Sequence, residues 1–104
     1  MIDKHRNCRE APLYRRHKAE LQPDPRKFEE VEAIYSQLIA SSPENNEVVD
    51  GTPGWRRQRT RPGIGGWAPA LYIYYTIVDD DHCELQAVER ADTIPSIQSI
   101  FDRL

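Results

Sequence analysis

The fold depends on one stretch, Trp55-Arg56-Arg57-Gln58-Arg59-Thr60-Arg61, then Pro62-Gly63-Ile64-Gly65-Gly66, then Ala70-Leu71-Tyr72-Ile73-Tyr74-Tyr75-Thr76-Ile77-Val78. An acidic turn, Asp79-Asp80-Asp81, leads from it into a third segment, Cys83 to Arg90. Runs of β-branched and aromatic residues bounded by glycine, proline and aspartate are typical of strands joined by tight connections. The sequence therefore predicts a three-stranded antiparallel meander whose first strand carries positive charge.

The three predicted strands differ in how their apolar residues are distributed. In the first, Arg57 and Arg59 alternate with Arg56 and Gln58, so the two pairs should point to opposite faces of the sheet. The second is apolar at nearly every position from 71 to 78, which predicts a central strand covered on both faces. The third alternates between apolar and polar positions, with Val88 as an exception; its apolar set is Cys83, Leu85 and Ala87.

Two helices are predicted upstream of the meander. Residues 12–21 suit a short amphipathic helix that begins at Pro12, because proline is tolerated in the first helical turn. Asp24-Pro25 is a good start for the second helix, which ends at Ser41-Ser42-Pro43. Its apolar residues recur with a period near 3.6; they are Phe28, Val31, Ile34, Tyr35, Leu38 and Ile39.

Both ends of the chain carry weaker signals. Residues 1–10 are consistent with an edge strand or with a frayed arm. At the other end, Asp92 or Thr93 could cap a short helix whose apolar stripe contains Ile94, Ile97, Ile100, Phe101 and Leu104. That stripe needs cover from its own sheet or from a second copy, which would make a homo-oligomer. We thus predict a single α+β domain spanning residues 1–104, with an N-terminal helical hairpin packed on a small antiparallel meander and a short C-terminal helix.

Composition limits the class of protein. The chain has 104 residues, of which 38% are hydrophobic and 30% charged, so its core must be small. It lacks the roughly 18 consecutive apolar residues of a membrane span, and its first residues lack the apolar core of a secretory signal. We expect a cytoplasmic protein with no membrane association. Cys8 and Cys83 match no metal or redox motif, and we expect no metal or other cofactor. A disulfide between them is one alternative, but in a cytosolic chain we expect two free thiols.

Charge is unevenly distributed along the chain. Residues 51–78 contain four arginines and no acidic residue, whereas residues 79–104 contain seven acidic residues, although the net charge is only -3. Such asymmetry predicts a local basic surface that could bind a polyanion. Two other interpretations remain: the arginines pair with the chain's own carboxylates, or they protect an exposed edge strand from aggregation.

The helical hairpin, the strand Trp55-Arg56-Arg57-Gln58-Arg59, the segment from Tyr72 to Asp81 and the end Val88-Glu89-Arg90 together resemble the RelE/ParE superfamily of bacterial toxins. The resemblance runs from about Leu13 to Arg90. It implies a toxin of a type II toxin-antitoxin system that either cuts messenger RNA on the ribosome or inhibits DNA gyrase. It also implies a cognate antitoxin protein as a partner.

Catalytic residues follow from the same resemblance. It implies catalytic roles for Arg56 and Arg90. RNA binding by Arg57, Arg59, Arg61 and Trp67 is predicted on chemical grounds instead, because arginines can hold phosphates while a nearby tryptophan stacks on a base. Gln58 and Leu71 stand where the ribonuclease members carry basic residues, and no tyrosine follows Tyr75. The alternative is therefore a non-catalytic RNA- or protein-binding module of the same fold. Arginine is a poor base, so the ordinary acid-base candidates are His5, His17 and His82.

Overall fold

The structure, a computed structural model, describes residues 7–21, 27–63 and 70–91. Four strands, two α-helices and a 3₁₀ turn at Pro43–Asn45 occur in these ranges. They are β1 (Asn7–Glu10), α1 (Pro12–Ala19), α2 (Phe28–Ser41), β2 (Arg56–Arg59), β3 (Leu71–Ile77) and β4 (His82–Arg90). The predicted helix start at Asp24-Pro25, Trp67 and the predicted C-terminal helix lie outside the described residues.

The sheet is mixed, with the order β1-β4-β3-β2. The last three strands pair antiparallel in chain order, but β1 pairs parallel to β4, with Cys8 opposite Cys83. The predicted helical hairpin on an antiparallel meander is therefore wrong. A strand precedes the helices, and the long connection through α1 and α2 is what a parallel pairing requires. Both cysteines are free thiols.

Helix α1 is anchored by a polar cluster. The Tyr14 hydroxyl donates to Glu32 Oε2 of α2 at 2.6 Å. Lys18 Nζ bridges Glu10 Oε1 at 3.1 Å and Glu32 Oε1 at 2.9 Å. Burial, and next the hydrogen bond to Glu32, raise the pKa of Tyr14 well above its usual range, so the phenol remains a donor. These contacts join the end of β1, α1 and α2, and α1 ends two residues before the predicted Leu21.

Helix α2 covers one face of the sheet with a narrower stripe than its sequence suggests. Phe28, Val31, Tyr35 and Ile39 are buried. By contrast, Ile34 and Leu38 remain 52% and 47% exposed, so their assignment to the buried stripe is wrong. The buried residues form one row along the helix surface. Ile34 and Leu38 lie beside this row, on the part of the helix that faces away from the sheet. None of the described helices is long and apolar enough to cross a membrane.

Two apolar clusters lie on opposite sides of the sheet. The helix-side core combines α2 with Tyr14, Leu71, Ile73, Tyr75, Cys83, Leu85 and Val88. The second cluster contains Trp55, Tyr74 and Ala87, with Leu13, Val49 and Tyr72 packed against it. The register of β3 on β4 shifts between Tyr74 and Tyr75. This bulge moves Ala87 to the second cluster and Val88 into the helix-side core, which explains the exception in the β4 pattern.

Candidate functional site

One face of the sheet collects basic, aromatic and acidic side chains, and we call it the arginine–tyrosine face: Arg57, Arg59, Tyr72, Tyr74 and Glu89. In the register, Arg59 lies opposite Tyr72, and Tyr72 lies opposite Glu89. Two residues further along β3, Tyr74 lies opposite Arg57. Since side chains alternate along strands, this register puts all five on the same side, away from α2.

Two guanidinium groups lie close to the ring of Tyr72. The Arg57 guanidinium carbon lies 4.3 Å from the ring centroid, and the Arg59 carbon lies 5.7 Å from it. Arg59 Nη1 also donates to the Tyr72 hydroxyl at 3.3 Å. Contacts of this kind attract the cation to the ring face and restrict both side chains. Arg59 is exposed, while Arg57 and Tyr72 are partly buried, so water reaches this cluster.

Beside this cluster, Tyr74 links the arginines to a carboxylate. Its hydroxyl donates to Glu89 Oε1 at 2.6 Å. Burial, and next the hydrogen bond to Glu89, raise the pKa of Tyr74 above its usual range, while a hydrogen bond with Arg57 opposes the rise. Tyr74 packs against Trp55 with ring centroids 6.1 Å apart. The buried Tyr74 therefore lies under the exposed part of the face, and Trp55 packs against it as part of the second apolar cluster.

Neither Arg57 nor Arg59 forms an ion pair with a carboxylate of the described residues. The ion pairs that the described ranges contain join Lys18 to Glu10 and Glu32, and His82 to Asp79. Within the described residues, no carboxylate therefore neutralises Arg57 or Arg59. Apart from the bond of Arg59 to the Tyr72 hydroxyl and that of Arg57 with Tyr74, their guanidinium donors are available to an anion.

Arg56 and Gln58 lie on the opposite side of β2, as the alternation predicted. Arg56 Nη1 donates to the backbone carbonyls of Asn46 and Glu44, the latter at 3.5 Å. Asn46 Nδ2 in turn donates to Gln58 Oε1 at 2.8 Å and to the Tyr75 hydroxyl at 3.1 Å. These bonds fasten the loop before β2 to the strand, so Arg56 has a structural task in the fold.

The register separates the two residues that the resemblance implies are catalytic. Arg56 lies opposite Tyr75, whereas Arg90 lies opposite Leu71. Four residues of strand span about 13 Å, and the two arginines are on strands that flank β3 on either side. The structure does not bring them together, and their catalytic roles stay predictions. Arg61 is exposed beyond β2, and its backbone N–H donates to the Tyr35 hydroxyl at 2.8 Å.

Of the two described histidines, His17 lies nearer this face than His82. A backbone hydrogen bond with Val88, to which the ring donates, places it beside Glu89 and raises its pKa in part. Burial, and next the charge of Arg16, lower the pKa of His17, so the ring is neutral near pH 7. Its buried Nδ1 has no partner among the described residues. His82 instead contacts Asp79 at 2.9 Å in the acidic turn, and His5 lies outside the described residues.

A polar pocket of about 600 Å³ adjoins the arginine–tyrosine face. It is lined by residues 45–50 of the loop before β2 and by Arg57. Arg57 and Arg59 were predicted from the sequence as binding residues, whereas Tyr72, Tyr74, Glu89 and this loop were not. The missing signal was the cross-strand register, because two-residue alternation alone does not say which tyrosines of β3 share a side with the arginines.

The sequence was compared with protein-family models and with curated proteins, and neither comparison finds a match.

Proposed function

We propose that this protein is an RNA-binding toxin of the RelE/ParE type, which holds single-stranded RNA on its arginine–tyrosine face. One observation carries the proposal: two arginines without carboxylate partners among the described residues lie close to an accessible tyrosine ring. The resemblance of the strands to that superfamily supplies the class. The target of such a protein is messenger RNA in the cytoplasm, and its natural partner is an antitoxin that neutralises it.

The chemistry of single-stranded RNA suits this arrangement. Aromatic side chains stack on unpaired bases, and each such contact contributes about 1–3 kcal/mol. Guanidinium groups donate paired hydrogen bonds to phosphate oxygens. A base over the exposed part of Tyr72 would have its flanking phosphates near Arg57 and Arg59. The cation–ring contacts hold the two guanidinium groups in place, which reduces the entropy lost when RNA binds.

The proposal concerns the holding of RNA and assigns no cleavage step to Arg56 and Arg90. Arg56 is occupied with the loop carbonyls on the other side of the sheet. Substitution of Arg56 should therefore lower the stability of the fold more than it lowers the affinity for RNA. A toxin that cuts RNA and a toxin that only binds and blocks RNA would both need the arginine–tyrosine face.

Binding of a fluorescent ten-nucleotide RNA, measured by anisotropy, tests the proposal directly. We expect Arg57→Ala and Arg59→Ala each to weaken binding by about tenfold, because each removes a charge-assisted phosphate contact. Tyr72→Leu should weaken binding similarly, while Tyr72→Phe retains most of it because the ring remains. Arg15→Ala, which removes an exposed charge on α1, is the matched control. Wild-type affinity in Arg57→Ala, Arg59→Ala and Tyr72→Leu would overturn the proposal.

Induction of the protein in bacteria tests the toxin class separately. We expect growth arrest, and we expect the double variant Arg57→Ala/Arg59→Ala to restore growth at the same protein level. Normal growth with abundant wild-type protein would contradict the toxin class. Arrest that persists in the double variant, with supercoiling by gyrase inhibited, would instead support the gyrase branch of the superfamily.

A further inference from the structure

We propose that the pocket beside Arg57 is a guanine-binding site, which selects the sequence of the RNA held on the arginine–tyrosine face. The pocket is formed by residues 45–50 and Arg57 and has a volume of about 600 Å³, within the range of small-ligand sites. The RNA part of this proposal rests on the proposed function. The pocket itself can be tested with a free nucleotide.

The loop that forms the pocket is fastened to β2. Val48 makes an antiparallel bridge with Arg56, and the Val49 backbone N–H donates to the Trp55 carbonyl at 2.8 Å. The Thr52 hydroxyl donates to the Val49 carbonyl at 2.7 Å and accepts from the Trp55 N–H at 3.1 Å. The return of the chain between these contacts passes through Gly51 and Gly54, both at positive φ. The pocket wall is therefore held in place before any ligand arrives.

The pocket presents hydrogen-bond acceptors and one cation. Asn45, Glu47 and Asp50 are exposed, and within the described residues their side chains form no hydrogen bond or ion pair. A carboxylate accepts two parallel N–H bonds. Among the four RNA bases, guanine offers two adjacent donors on one edge, its ring N1–H and its exocyclic amino group. Phosphate is excluded from the same wall because Glu47 and Asp50 repel it.

Arg57 connects the pocket to the RNA surface. Its guanidinium lies over Tyr72, and the same residue lines the pocket. A phosphate bound by Arg57 would therefore stand between a base stacked on Tyr72 and a neighbouring base directed into the pocket. The acidic wall then meets the guanine edge, and the backbone stays on the basic side. The arrangement predicts a preference for guanine at one position of the bound RNA.

The test uses ten-nucleotide uridine RNAs that carry a single central guanosine or adenosine, with binding measured by anisotropy. We expect the wild-type protein to bind the guanosine RNA about tenfold more tightly, as one bidentate base contact allows. The double variant Glu47→Gln/Asp50→Asn should lose this preference and still bind both RNAs. Glu29→Gln/Glu30→Gln, with the same charge change on α2, should keep it. Equal wild-type affinity for the two RNAs would overturn the guanine site.

A titration with guanosine monophosphate and adenosine monophosphate, followed by NMR shifts of residues 45–50, separates this inference from the proposed function. Guanosine monophosphate shifts that disappear in Glu47→Gln/Asp50→Asn, together with no RNA binding, would support the pocket while removing the RNA-binding proposal. RNA binding without a guanine preference and without these shifts would support the RNA-binding proposal and overturn the guanine site. No response to guanosine monophosphate in the wild-type protein would count against the pocket.

Discussion

The two sides of β3 use tyrosine in different ways. On the helix side, the fully buried Tyr75 donates its hydroxyl to the Pro43 carbonyl at 2.6 Å, inside a core of aliphatic and aromatic residues. On the other side, Tyr72 is partly exposed, and two guanidinium groups lie 4.3 and 5.7 Å from its ring centroid. Neighbouring residues of one strand thus serve packing on one side and a charged surface on the other. Substitutions on the two sides should separate stability from RNA affinity.

The largest effect is expected from a truncation on the helix side. Ile73→Ala should lower the free energy of unfolding by about 2–5 kcal/mol, because it leaves a cavity in the core. The adjacent change Tyr72→Ala should cost less, about 1–2 kcal/mol, because the partly exposed ring loses cation–ring contacts and only part of its packing on the second cluster. Urea denaturation measures both. Similar losses from the two variants would mean that the two sides do not differ as described.

A smaller effect is expected from removal of one buried hydroxyl. Tyr75→Phe leaves the Pro43 carbonyl without its donor and should cost about 1–3 kcal/mol. RNA affinity should stay within twofold of the wild type, because Tyr75 does not reach the arginine–tyrosine face. Thermal unfolding and anisotropy provide the two readouts. A variant that keeps full stability would show that another donor replaces the phenol.

The arginines of β2 allow the comparison to be made with one residue type. Arg56→Ala should lower stability by about 1 kcal/mol through the lost loop contacts and leave RNA affinity little changed. Arg57→Ala should do the opposite, with a stability change of about 0.5 kcal/mol and clearly weaker RNA binding. Measuring both properties on both variants is decisive. Loss of RNA affinity in the properly folded Arg56→Ala protein would move the binding surface to the helix side.

The smallest effect concerns pH and His17, on a helix that contacts both clusters. Because the folded-state pKa of His17 is lowered from 6.5, the unfolded chain binds more protons as pH falls below 6.5. Stability should therefore decrease from pH 7 to pH 5. In His17→Leu this part of the decrease should be absent. Urea midpoints at several pH values measure it, and parallel curves for the two proteins would show that His17 does not contribute.

Some elements could be predicted because their signals are local. The stretch from Leu71 to Ile77 is apolar throughout and forms the central strand β3, and two-residue alternation correctly divided Arg57 and Arg59 from Arg56. Helix α2 also followed its periodicity, apart from Ile34 and Leu38. Those two residues were assigned wrongly because period and hydrophobicity do not reveal how wide a stripe the sheet can cover.

Other features depend on partners far away in the chain. Strand β1 has Cys8 as its only apolar residue, so its identity comes from pairing with β4, some 75 residues later. The bulge that divides Ala87 from Val88 is likewise a property of two strands together. The predicted fold failed at this level: β2, β3 and β4 do form an antiparallel meander, but β1 adds a parallel fourth strand that no local pattern records.

By itself, the sequence determined where the apolar strand, the basic strand and the amphipathic helix lie, because these depend on residues two to four positions apart. The tertiary structure decided which side chains meet. It turned Arg56 toward the loop carbonyls, placed Arg57 and Arg59 close to Tyr72, and separated Arg56 from Arg90 on either side of β3. Strand order and cross-strand register are the physical reasons: the order keeps β2 and β4 apart, and a shift of one residue in the register would send the side chains of β2 to the opposite faces.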